Sequence, residues 1–74
     1  MYLDELELGQ EGRILEIKCN ENVKRRLLDL GIVKGTKITP ILKNPLGDPR
    51  AYEIRGSIIA IRKEDTRLIK VERR

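Results

Sequence analysis

Residues 13–31 read RILEIKCNENVKRRLLDLG. Two periods meet in this stretch, and their order decides the fold. In RILEIKC, Leu15, Ile17 and Cys19 recur at every second position, with Ile14, Glu16 and Lys18 on the opposite face; this is the spacing of a half-buried strand. From Asn20 the period lengthens. Val23, Leu27 and Leu30 stand at i, i+4 and i+7, one stripe of a helix over 21–30. Asn20 offers a capping oxygen, and Glu21 suits the positive end of the helix dipole. Gly31 stands where a helix ending calls for a left-handed residue, and Ile32 follows it, placed to touch Leu27. Lys24, Arg25 and Arg26 fall mostly on other faces. Leu28 lies about 100° round from Leu27, so the core stripe does not require it.

Working outward, the period returns to two. Val33–Thr36, with Gly35, reads as a turn entering a strand. In TKITPILK (36–43) Ile38 and Leu42 share a face, and Pro40 marks an edge or a bulge. NPLGDPR (44–50) is a loop in which Gly47, Asp48 and Pro49 are turn residues. AYEIR (51–55) turns Tyr52 and Ile54 inward. Gly56-Ser57 reads as a tight hairpin. IIAIR (58–62) places Ile59 and Ile61 inward, KEDTR (63–67) forms a polar corner or one short helical turn, and LIKVE (68–72) places Ile69 and Val71 inward. Upstream, Leu3, Leu6 and Leu8 fit one helical turn before Gly9 and Gly12. The expectation is a mainly β fold: five short antiparallel strands in a closed barrel, with one helix inserted after the first.

Composition sets the bounds. Seventy-four residues allow one domain, 1–74, of marginal stability. There is no Phe or Trp, so the core must be built from Ile, Leu and Val. Charged residues make up 38%, against about 25% in an average soluble protein. The first eleven residues carry only acidic charges, at Asp4, Glu5, Glu7 and Glu11, so the basic excess behind the net charge of +4 lies downstream. Such a surface suits an anionic partner; it equally suits solubility and the guarding of strand edges. No apolar run is long enough for a spanning helix, and the N-terminus lacks a signal-peptide pattern, so a cytoplasmic location is expected.

The chain has no histidine and one cysteine. That removes the commonest general base, the commonest metal ligand and the Ser-His and Cys-His nucleophile pairs. Asp48 reads as a turn residue before a catalytic one. Cys19 shares a face with Leu15 and Ile17 and reads as a small core hydrophobe. The expectation is no enzyme, no cofactor and no metal site. The residues therefore lead to a small binding module. Single-stranded nucleic acid is the generic alternative, but aromatic stacking platforms are missing.

Motifs in order along the chain carry a resemblance. Leu3, Leu6 and Gly9 match an opening "L..L..G", and Gly12-Arg13-Ile14 begins the first strand. RLLDLGI (26–32), GTKI (35–38), NPLGDP (44–49), YEIRG (52–56), IAIR (59–62) and IKV (69–71) follow. Together they resemble the FeoA family. The resemblance implies an SH3-like barrel and a cytoplasmic accessory role in bacterial ferrous iron uptake. It also implies a partner, the GTPase-bearing transporter FeoB, with membrane contact only through that partner. The family is often described as metal-binding. Self-association is left open. The helix is expected to meet the partner through Lys24, Arg25, Leu28 and Asp29. Leu27, Leu30, Gly31, Gly35, Gly47, Asp48, Pro49 and Gly56 are expected to hold the frame.

Overall fold

The computed structural model describes residues 1–74. After a single 3-10 turn at Leu3–Glu5 come β1 (Gly12–Ile17), α1 (Glu21–Asp29), β2 (Lys37–Lys43), β3 (Arg50–Ile54), β4 (Ser57–Ile61), α2 (Lys63–Thr66) and β5 (Ile69–Arg73). The five strands form one antiparallel sheet in the order β4-β3-β2-β1-β5. Mainly β architecture with one main helix after the first strand is thus the fold. The sheet is not closed by hydrogen bonds: β4 and β5 are its two edges. The N-terminal residues cover part of the β5 edge, where Val71 N–H donates to the Met1 carbonyl at 2.8 Å and Tyr2 bridges Lys70.

β2 carries the chain between the two halves of the sheet. Its Lys37 and Ile38 pair with Arg13 and Gly12 of β1, and Thr39–Lys43 pair with β3. At Pro40, therefore, β2 has one neighbouring strand, and the missing N–H costs no second ladder. The register slips between Pro40 and Leu42. That bulge leaves Ile38 and Pro40 buried but turns Leu42 outward, 65% exposed, instead of onto the face of Ile38. A second slip lies in β1, between Ile14, which pairs with Val71, and Glu16, which pairs with Lys70. Leu15 is the extra residue. Ile14 therefore points into the core, reversing the face expected from simple alternation, while Ile17 packs against the core and Cys19 is buried beyond it.

α1 begins at its cap, where Val23 N–H donates to Asn20 Oδ1 at 3.0 Å. It ends in a Schellman reversal. Gly31 has φ +85°, its N–H donates to the Leu28 carbonyl at 2.9 Å, and Ile32 N–H donates to the Leu27 carbonyl at 2.9 Å. Leu27 and Ile32 are both buried. Leu30 is not: it is 46% exposed, contrary to the stripe read from its spacing. The helix stops one residue short of it, and the reversal delivers Ile32 to the core position over Leu27. Downstream, the β3–β4 turn is Arg55-Gly56, with φ of +53° and +82°, between the paired Ile54 and Ser57. It sits one residue before the expected Gly56-Ser57, because Arg is not a residue that advertises a turn of this kind.

The core gathers Leu3, Leu6, Ile14, Ile38, Tyr52, Ile54, Ile61, Ile69 and Val71 around that helix ending. Each fully buried aliphatic side chain contributes about 1.5–3 kcal/mol. Burial pushes the Tyr52 hydroxyl and the Cys19 thiol upward in pKa, the thiol helped by the negative charge of Asp65.

Two predictions follow from this packing. A Cβ on Gly31 would meet only Arg55 Cδ, at 3.9 Å, so the cost of Gly31→Val is conformational, at least about 1–2 kcal/mol. The melting temperature should fall by several degrees, about 4–8 °C per kcal/mol for a domain of this size; a melt equal to the parent's would contradict the reversal. The second concerns alkaline pH. The fold holds Tyr52 and Cys19 protonated, whereas the unfolded chain releases those protons near 10.0 and 9.0. The contribution of these two groups to stability should be constant below about pH 9 and decline as pH rises further. Tyr52→Phe should flatten part of that decline in melts recorded across the alkaline range; an unchanged slope would exclude Tyr52 as a source.

Candidate functional site

The bulge in β1 and the off-stripe face of α1 meet along one side of the molecule. Leu15, re-aimed by the bulge, and Leu28, off the core stripe of α1, border one groove. Between β1 and α1 runs an open groove of about 700 Å³. Its apolar lining comes from Leu15 and Ile17 of β1, Leu28 of α1, and Ile32 and Val33 just past the helix. Leu28 is 59% exposed. Lys24, Arg25 and Lys34 supply positive charge, and Glu16 and Glu21 supply negative charge.

Of the residues expected to meet a partner, Lys24, Arg25 and Leu28 share this groove, while Asp29 lies on the helix outside its lining. Leu15 and Ile17 read as one strand face and Val33 and Lys34 as part of a turn, and none of the four was expected at a partner surface. The adjacent apolar pair Ile14-Leu15 is a break of phase and was the available signal for the bulge that turns the half-buried Leu15 toward the groove. The frame residues sit elsewhere. Gly35, Gly47 and Gly56 all have positive φ, of +90°, +88° and +82°. Asp48 Oδ1 accepts from the Lys63 backbone N–H at 2.8 Å, so its carboxylate caps the first turn of α2.

Arg50 also escaped the sequence reading. Its guanidinium donates to the Asp4 carbonyl at 3.3 Å and the Leu6 carbonyl at 2.8 Å. It thereby ties the N-terminal turn to β3, with its charge over the Tyr52 ring at 5.3 Å. Tyr52 is buried, and Tyr2 is half-buried, its hydroxyl accepting from the Lys18 ammonium at 2.9 Å. Tyr52 therefore has no open face for base stacking.

Metal-ligating groups are dispersed. No three His, Cys, Asp or Glu side chains come together as a metal-binding group. The Cys19 thiol is buried, with Sγ 3.7 Å from the Asp65 carbonyl oxygen.

Comparison with known proteins agrees with the fold and its motifs. The FeoA domain model matches residues 1–73. Over 72 residues the chain is 35% identical to an Fe(2+) transport protein A/Fe(2+) transporter FeoB fusion protein of Porphyromonas gingivalis. That match takes in 97% of this chain but only 8% of the fusion protein. The solution structure of the FeoA protein of Chlorobium tepidum superposes with a TM-score of 0.94 at 33% identity, over 99% of this chain and 70% of that one. FeoA of Stenotrophomonas maltophilia, described as a prokaryotic SH3 domain protein and complexed with zinc, superposes with a TM-score of 0.83 at 28% identity, over 97% of this chain and 89% of that one. An SH3-like sheet with a helix after its first strand, matched from end to end by the family model, makes this chain a member of the FeoA domain family.

Proposed function

We propose that this protein is an accessory factor of bacterial ferrous iron uptake that works by binding the cytoplasmic region of FeoB. The observation that carries the reading is the P. gingivalis fusion, in which a relative of this chain is joined to FeoB. Covalent fusion holds two modules at high effective concentration, an arrangement that suits modules which bind one another. The groove between β1 and α1 is the surface suited to that contact. An exposed leucine with apolar neighbours and a charged rim is the composition of an interface anchor. A binding module, rather than an enzyme, also agrees with Asp48 being engaged as a helix cap and with the absence of histidine.

The test is capture of the FeoB cytoplasmic region by the purified protein, with RNA as a control ligand. Leu28→Glu should abolish capture, with circular dichroism and melting temperature close to the parent's. Leu46→Glu, an equally drastic change at the most exposed leucine, should leave capture intact. Capture by Leu28→Glu at the parent's level would remove the groove from the interface, and preferential binding of RNA would overturn the reading itself.

Zinc accompanies the S. maltophilia relative, but the donors of this chain do not fit a tight transition-metal site. Such sites need several convergent nitrogen or sulfur ligands. Here the one thiol is buried and no imidazole exists to join it. Anaerobic titration calorimetry with ferrous iron or zinc should show binding no tighter than roughly micromolar, the strength of scattered oxygen ligands. A stoichiometric nanomolar site lost in Cys19→Ser would overturn this and the inward placement of Cys19. A nanomolar site surviving that substitution would place carboxylates from two chains around the ion.

A further inference from the structure

The sheet leaves one edge bare. The β5 edge is covered in part by the N-terminal residues, but no backbone group of Ser57–Ile61 makes a hydrogen bond outside the β3 ladder. A two-residue turn closes on a pair that exchanges its hydrogen bonds, so Ser57, Ile59 and Ile61 bond to β3 while Ile58 and Ala60 aim N–H and C=O away from the sheet. Exposed edges are normally blunted by Lys, Pro, a bulge or an inward charge. β4 has none of these. Its sequence is SIIAI, its pairing with β3 is regular throughout, and Ile58 is 68% exposed.

We infer that β4 is a self-association edge, and that its occupant is β4 of a second copy of this chain, paired antiparallel about a two-fold axis at Ile59. The strand is complementary to itself in that register. Ile58 of one copy lies opposite Ala60 of the other, a large side chain against a small one, twice over. About four new backbone hydrogen bonds join the two sheets into one. On the outer face Leu42, Ala51 and Ala60 stand in one cross-strand row. The Ile58 of the second copy continues that row and covers apolar surface now open to water. Charge agrees with the same register. Glu53 stands opposite Ile58 on β3, and Arg62 follows Ala60 on the same face. Neither makes an ion pair within its own chain, and pairing brings Arg62 of one copy toward Glu53 of the other. On the inner side the edge borders a groove of about 380 Å³, to which Leu30 and Ile59 contribute. This accounts for the exposed Leu30 at the end of α1. The interface is isologous and closes on two copies, leaving the Leu28 groove of each copy free. The inference goes beyond FeoB binding and does not depend on it.

The test uses the full chain alone. In sedimentation equilibrium the parent should rise with concentration from 8.6 kDa toward twice that mass. In hydrogen exchange the Ile58 and Ala60 amides should gain protection as concentration rises, a readout that needs no variant. Ile58→Lys, at an exposed position, should remain monomeric with the parent's dilute-solution melting temperature. Ala60→Pro, which removes only an outward-facing N–H, should also be monomeric. A parent that stays monomeric up to about 1 mM overturns the inference. So does a dimer that persists in the folded Ile58→Lys variant, or one whose protected amides lie on α1 instead of β4.

Discussion

The reversal at Gly31 is the constraint on which the rest of the molecule depends. A left-handed residue there lets the chain fold back over its own last turn, so that Ile32 reaches the core beside Leu27. The reversal also sets the direction in which the chain leaves for Gly35 and β2. Had the helix continued, Leu30 would compete for that core position and the path to β2 would lengthen. Leu30 is left outside as a consequence, and Leu28 is exposed because it lies off the core stripe. Leu28 opens on the groove beside β1, and Leu30 borders the bare edge of β4. One backbone conformation thus separates core from surface at the end of the helix.

Two bulges do comparable work in the sheet. A small barrel must curl strongly, and an extra residue in one strand bends the ladder and increases its twist. The slips at Leu15 and Ile41 fall on β1 and β2, the strands that join the two halves of the sheet. Each also re-aims a side chain. Leu15 reaches the groove surface, and Leu42 the outer face of the sheet. Curvature and surface chemistry therefore arise from the same irregularities.

The N-terminal turn shows how so small a core is completed. Leu3 and Leu6 are buried, and Gly12 leaves room for Leu6, since a Cβ there would lie 2.7 Å from Leu6 Cδ1. Arg50 then ties the carbonyls of that turn to β3. The acidic opening segment is thus part of the fold. Its position against the basic remainder places opposite charges close together, as in the Arg74–Glu11 pair at 3.2 Å.

Much of this was legible in the residues. Period-two runs, one period-3.6 stripe and the glycine and proline punctuation sufficed for the element order, the helix cap at Asn20, the reversal at Gly31 and the inward positions of Tyr52, Ile54, Ile69 and Val71. The ordered motifs sufficed for the family. These features are local: each depends on a few neighbouring residues and on backbone sterics. What the sequence did not disclose depends on pairing between distant segments. The phase shifts of β1 and β2, the exposure of Leu42, the Arg50 tether and the open edge at β4 exist only once strands far apart in the chain are in register. A slip of one residue reverses which side chains face water. Within a single strand the only trace of such a slip is a break of phase such as the adjacent pair Ile14-Leu15, which does not say which side faces the core, so tertiary structure decided which of these apolar residues became core and which became surface.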